Sequence, residues 1–113
     1  MSKIQLEQIK YEVSAGIQSA LGAKLHQIIL YGSYARGDYN EDSDIDIIVL
    51  ADIDEDKMGD YRNEIDMVSS KLSLEYDALI TISLKNRQLF YNRLSILPFY
   101  QNVIKDGVVL YGN

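Results

Sequence analysis

Residues 44–51 read Asp-Ile-Asp-Ile-Ile-Val-Leu-Ala, and after Asp46 the chain places four branched apolar residues in succession, Ile47 to Leu50. A strand with one wet face alternates apolar and polar positions. An unbroken apolar run of this kind needs cover on both faces. In a chain of 113 residues there is room for one such buried strand system and one core around it. The run therefore predicts an α/β (α+β) fold, a small mixed sheet flanked by helices, built as a single domain over residues 1–113.

The rest of the chain supplies the flanking elements. Residues 3–22 set Leu6, Ile9, Val13, Ile17 and Leu21 at helical steps, with Gly22 where a C-cap falls. His26 to Tyr31 is short, apolar and halted by Gly32, which predicts a strand. Residues 54–72 return to helical spacing through Met58, Tyr61, Ile65, Val68 and Leu72. Residues 74–83 are expected to form a third strand, parallel to the second because a helix-length crossover joins them. Residues 86–105 read as helical with a break near Ser95 to Pro98, because proline is comfortable only in a first turn. Asp106-Gly107 is a turn, and Val108 to Tyr111 a final strand or extended tail.

Composition excludes several kinds of function. With no cysteine, the chain has no disulfide, no Cys-zinc site and no thiol nucleophile. Its net charge of −6 and eleven scattered basic residues argue against direct nucleic-acid binding, which needs clustered Lys and Arg. Glu7, Lys10 and Glu12 interrupt the first apolar stretch, so it is neither a signal peptide nor a membrane span. A cytoplasmic protein with no membrane partner is expected.

Chemistry concentrates between Gly32 and Asp46. Glycine tolerates positive φ and lets backbone approach a ligand, and the Ser33 hydroxyl suits a helix cap or a phosphate oxygen. Arg36, one turn on, has two readings: a bidentate phosphate contact, or a surface ion pair with Asp38 or Glu41. No Gly-Lys-Ser/Thr follows, so this is not a Walker loop. Asp44 and Asp46 stand two apart on a predicted strand, leaving its same face. Adjacent carboxylates repel unless a cation lies between them. Oxygen ligands without His or Cys point to Mg²⁺ or Mn²⁺. Asp38-x-Asn40-x-Asp42 is not a calcium loop, lacking its glycine and its twelfth-position glutamate.

Asp77 falls in the middle of the expected third strand, where a carboxylate needs a partner. It is therefore the candidate third metal ligand and general base beside Asp44 and Asp46, with Glu75 its competitor. His26 opens a strand and reads as packed or partly exposed rather than catalytic, while Arg87 and Arg93 suit either a contact with a partner or triphosphate or plain surface helix positions. Tyr34 and Tyr39 lie where they can stack on a base or simply pack.

Gly32-Ser33, ten residues, then Asp44-x-Asp46, within Gly-Ser-Tyr-Ala-Arg-Gly and Ser-Asp-Ile-Asp, resembles the minimal nucleotidyltransferase (MNT) domains of the polymerase-beta-like superfamily. The order of elements matches over most of the chain, and the ending Lys105 to Gly112 is similar to that of MNT antitoxins. The resemblance implies that Gly32 and Ser33 hold nucleotide phosphates and that Asp44, Asp46 and Asp77 hold Mg²⁺. It also implies AMP transfer from ATP to a tyrosine of a HEPN-domain ribonuclease toxin, in a hetero-oligomer with that toxin. A module of another class, neutralising its partner by stoichiometric contact alone, is the alternative.

Overall fold

Ser2 opens the first helix, α1 (Lys3–Leu21), through a reciprocal box: its hydroxyl accepts from the Gln5 backbone N–H, and Gln5 Oε1 accepts from the Ser2 backbone N–H, both at 3.1 Å. The predicted stripe of Leu6, Ile9, Val13, Ile17 and Leu21 is buried, and Gly22 ends the helix at φ 54°. The structure is a computed structural model and describes residues 1–112. After α1 come β1 (Leu25–Tyr31), a four-residue helical turn α2 (Ser33–Arg36), β2 (Ile45–Ala51) and α3 (Gly59–Tyr76). β3 (Ile80–Asn86), α4 (Arg87–Arg93), α5 (Pro98–Asp106) and β4 (Val108–Tyr111) complete the fold.

The four strands form one mixed sheet in the order β3-β2-β1-β4. β1 runs antiparallel to both β2 and β4, while β2 and β3 are parallel, as the crossover through α3 requires. Both faces of β2 are covered. Ile45, Ile47, Val49 and Ala51 join the stripes of α1 and α3, and Ile48 and Leu50 pack with Ile29 under Phe90 of α4 and Val103 of α5. Gly16 lets α1 and α3 close on each other, since a β-carbon there would meet the Val68 methyls at 3.0 Å. No helix among the described residues is long and apolar enough to cross a membrane.

The third strand corrects the sequence reading. Residues 74–76 continue α3, and the strand begins only at Ile80. Leu74, which looked like a strand residue, is 85% exposed on the helix. Two contacts hold the extra turn in place. The Tyr76 hydroxyl donates to Glu12 of α1 at 2.6 Å, and the Ser73 hydroxyl accepts from the Ile80 backbone N–H at 3.0 Å. Asp77 therefore does not sit in the middle of a strand. It caps α3 in the left-handed conformation (φ 49°, ψ 48°) and is exposed. Glu75, its competitor, lies exposed on the last turn of the same helix. The expected break in the last helical region is real: Pro98 occupies the first turn of α5.

Candidate active site

The antiparallel pairing of β1 with β2 brings the end of one strand to the start of the other, so that Tyr31 is the register partner of Asp46. Directly after Tyr31 the chain turns at Gly32, with φ 76°, into the short helical turn that Gly37 closes at φ 85°. Both angles lie in the left-handed region that favours glycine. At Gly32 space is also decisive, because a β-carbon there would stand 2.7 Å from Oδ2 of Asp46. The glycine-serine turn and the carboxylate are thus pressed together by the strand register.

Asp46 is half-buried. Its Oδ1 accepts a hydrogen bond of 2.9 Å from the Thr81 hydroxyl, and Thr81 is its register partner on β3. Tyr31 flanks Asp46 from β1, its ring edge-on to Phe99 at 5.5 Å. Burial pushes the Tyr31 hydroxyl above its ordinary pKa, the Asp46 charge pushes it the same way, and a hydrogen bond with Ser83 opposes both. Tyr31 accordingly stays neutral beside the carboxylate at physiological pH. Asp44 lies just ahead of β2 and is exposed.

The remaining candidates are placed differently from one another. Ser33 opens the turn after Gly32, half-buried. Arg36 takes the surface alternative, its Nε 3.2 Å from Asp38 Oδ2. Tyr34 and Tyr39 stack on each other, ring centres 4.2 Å apart and 12° from parallel. The loop before Asp44 is held by its own polar groups: Asn40 Oδ1 accepts from the Asp42 N–H at 2.8 Å. Asp77 lines an open cleft of about 610 Å³ together with Asp44, Asp42, Tyr34 and Tyr39, a cleft that Asp46 and Gly32 do not line. Among the described residues no three Asp, Glu, His or Cys side chains gather as a metal group. The longer α3 leaves Asp77 at a helix end rather than on the strand beside Asp46.

Asp44 and Asp46 nonetheless fit a hard divalent cation. Mg²⁺ is commonly held by one or two carboxylates, with phosphate and water oxygens completing its shell, and Gly32 leaves open the space beside Oδ2 that a side chain would fill. Sequence reasoning missed Thr81, Tyr31 and Ser83. The signal was the alternation Ile80-Thr81-Ile82-Ser83, which puts two hydroxyls on the face opposite the Ile80 side of the core.

The family model for the nucleotidyltransferase domain matches residues 12–111, which include the glycine turn and the strand carboxylate. The chain belongs to this nucleotidyltransferase family. The nucleotidyltransferase is 39% identical over 103 residues to "Putative protein adenylyltransferase MJ0604" of Methanocaldococcus jannaschii, covering 91% of this chain and 94% of that one. It is 38% identical over 105 residues to "Putative protein adenylyltransferase MJ0141" of the same organism, covering 93% and 98%. Among solved structures it resembles a toxin–antitoxin complex with AMP-PNP, at TM-score 0.60 and 26% identity over 92% of this chain and 73% of that chain. It shares its fold with a chain of the complex between a tri-AMPylated Shewanella oneidensis HEPN toxin and its MNT antitoxin. That match has a TM-score of 0.55 and 21% identity over 95% and 72% of the two chains.

Proposed function

We propose that the chain is a Mg²⁺-dependent protein adenylyltransferase that moves AMP from ATP to a tyrosine hydroxyl of a HEPN-family ribonuclease toxin, and so acts as its antitoxin. The observation that carries this reading is the contact of Gly32 with the Asp46 carboxylate, which sets a backbone turn suited to phosphate against a side chain suited to the cation. The neighbouring complex with AMP-PNP and the AMPylated HEPN toxin support the donor and the partner.

In this reading Gly32 and Ser33 bind and orient the triphosphate, and Arg36, exchanging its ion pair with Asp38, adds a charged contact. Asp44 and Asp46 would hold the cation, which would supply charge neutralisation to the phosphates. The acceptor oxygen bonds to the α-phosphorus while the bond to the β-phosphate bridge breaks. Pyrophosphate leaves with the electron pair, and the hydroxyl proton passes to solvent.

The purified chain, incubated with its toxin, ATP and Mg²⁺, is expected to add an AMP mass to a toxin tyrosine. Unmodified toxin across Mg²⁺ and Mn²⁺ and the common nucleoside triphosphates overturns the reading. The alternative from another class is neutralisation by stoichiometric contact alone. An Asp44→Asn, Asp46→Asn double variant that silences the toxin as well as wild type at equal abundance selects it.

A further inference from the structure

Tyr31, Asp46 and Thr81 occupy one register level across three adjacent strands. Side chains at one level project from the same face, about 5 Å apart, and so are each other's immediate neighbours. Both lateral neighbours of Asp46 are therefore hydroxyls. The strands that flank β2 reinforce this, since neither Leu25–Tyr31 nor Ile80–Asn86 contains an acidic residue. Asp77 sits before β3, at the end of α3, and shares a cleft with Asp44 and not with Asp46.

These placements bear on how many cations the site can hold. Two carboxylates carry a charge that one divalent ion balances, and phosphate and water oxygens complete its octahedral shell. The triphosphate brings anionic oxygens of its own, so the protein's share in holding a second cation is a further carboxylate beside Asp46. Position 81 is where β3 would supply one, directly beside Asp46. The chain places a neutral donor there, and that donor engages Oδ1 while Oδ2 remains beside the space at Gly32.

We propose that this site takes one divalent cation per chain, and that Thr81 is a positioning residue that holds Asp46 by one oxygen and presents the other to the cation. The inference rests on the reading of Asp44 and Asp46 as cation ligands for a bound nucleotide. It departs from the sequence's expectation of a third carboxylate at Asp77.

The test is a Mn²⁺ titration of the full chain with a non-hydrolysable ATP analogue, free Mn²⁺ being counted by electron paramagnetic resonance against an analogue-only control. One Mn²⁺ per chain is expected for wild type. Thr81→Val, nearly the same shape without the hydroxyl, should weaken that binding roughly 10- to 100-fold, as loss of a ligand-orienting hydrogen bond commonly does. Thr81→Ser, which keeps the hydroxyl, should restore it, and Thr81→Asp should bind a second Mn²⁺. Melting curves establish that each variant is folded, and the serine variant separates loss of the hydroxyl from disturbed packing. Two Mn²⁺ on wild type overturn the inference, as does equal binding by wild type and Thr81→Val. One bound Mn²⁺ without AMP transfer would sink the transfer reading and leave this inference standing. Two bound Mn²⁺ with transfer would do the reverse.

Discussion

A β-carbon on Gly32 would come within 2.7 Å of the Asp46 carboxylate, and Gly32 itself sits at φ 76°. Two independent constraints, backbone conformation and space, thus fall on one residue. Gly32→Ala should cost about 1–3 kcal/mol of stability from the strained φ alone. It should also push Asp46 off its hydrogen bond with Thr81. The expected outcome is a lower urea midpoint together with weakened binding of the ATP analogue. An alanine variant that binds the analogue as wild type does would show that the close approach is dispensable.

Asp77 is a helix cap and not a strand carboxylate, which predicts an effect opposite in sign to that of a ligand. The left-handed conformation penalises every side chain and spares glycine. Asp77→Gly should therefore raise stability by up to about 1 kcal/mol while leaving Mn²⁺ binding with the nucleotide analogue unchanged. Chemical denaturation reads the first effect and the Mn²⁺ titration the second. A loss of bound Mn²⁺ would restore Asp77 to the metal site.

The hydrogen bond from Tyr76 to Glu12 gives the α1–α3 contact an alkaline limit. That bond, then burial, then the charges of Glu12 and Glu75 raise the Tyr76 pKa from 10.0 to about 12. A pKa raised on folding stabilises the fold fully below the unfolded value and loses that contribution as pH climbs from the unfolded to the folded value. Melting temperature should fall between pH 10 and 12, and more steeply for wild type than for Tyr76→Phe. Tyr31 and Tyr34, also raised, contribute to both proteins, so the difference isolates Tyr76. Parallel curves for the two proteins would remove the assignment.

Phe90 anchors the second face of the sheet, where it is 1% exposed and tilted against Tyr100 with ring centres 4.4 Å apart. Phe90→Ala should destabilise the fold by about 3–5 kcal/mol, the usual cost of emptying an aromatic core position. Denaturant unfolding measures it. A loss below about 1 kcal/mol would mean that α4 and α5 do not cover Ile48 and Leu50 as described.

Most of this architecture could be read from residue order because the signals were local. The run Ile47 to Leu50 demanded two covered faces, and Phe90 and Val103 on one side and α1 with α3 on the other supply them. Gly22 and Pro98 marked a helix end and a helix start by backbone geometry that few other residues tolerate. The third strand was misplaced because Leu74-Glu75-Tyr76 suits a strand as well as a helix by composition. A contact with Glu12, 64 residues earlier, decided for the helix. Pattern within a segment carries no trace of such a contact. The same limit hid Thr81, whose position beside Asp46 depends on register between strands that α3 separates.

The sheet order also divides the site by the chain length needed to close it. Tyr31 meets Asp46 across a short antiparallel connection, whereas the Thr81 hydroxyl must return over 35 residues to reach the same carboxylate. Loop-closure entropy rises with that length, so the Gly32 half is the cheaper of the two to assemble. Contacts of low sequence separation also tend to form sooner in folding. The turn and its carboxylate are therefore expected to meet before β3 docks, so that the residue at position 81 can vary without endangering the nucleus on which it settles.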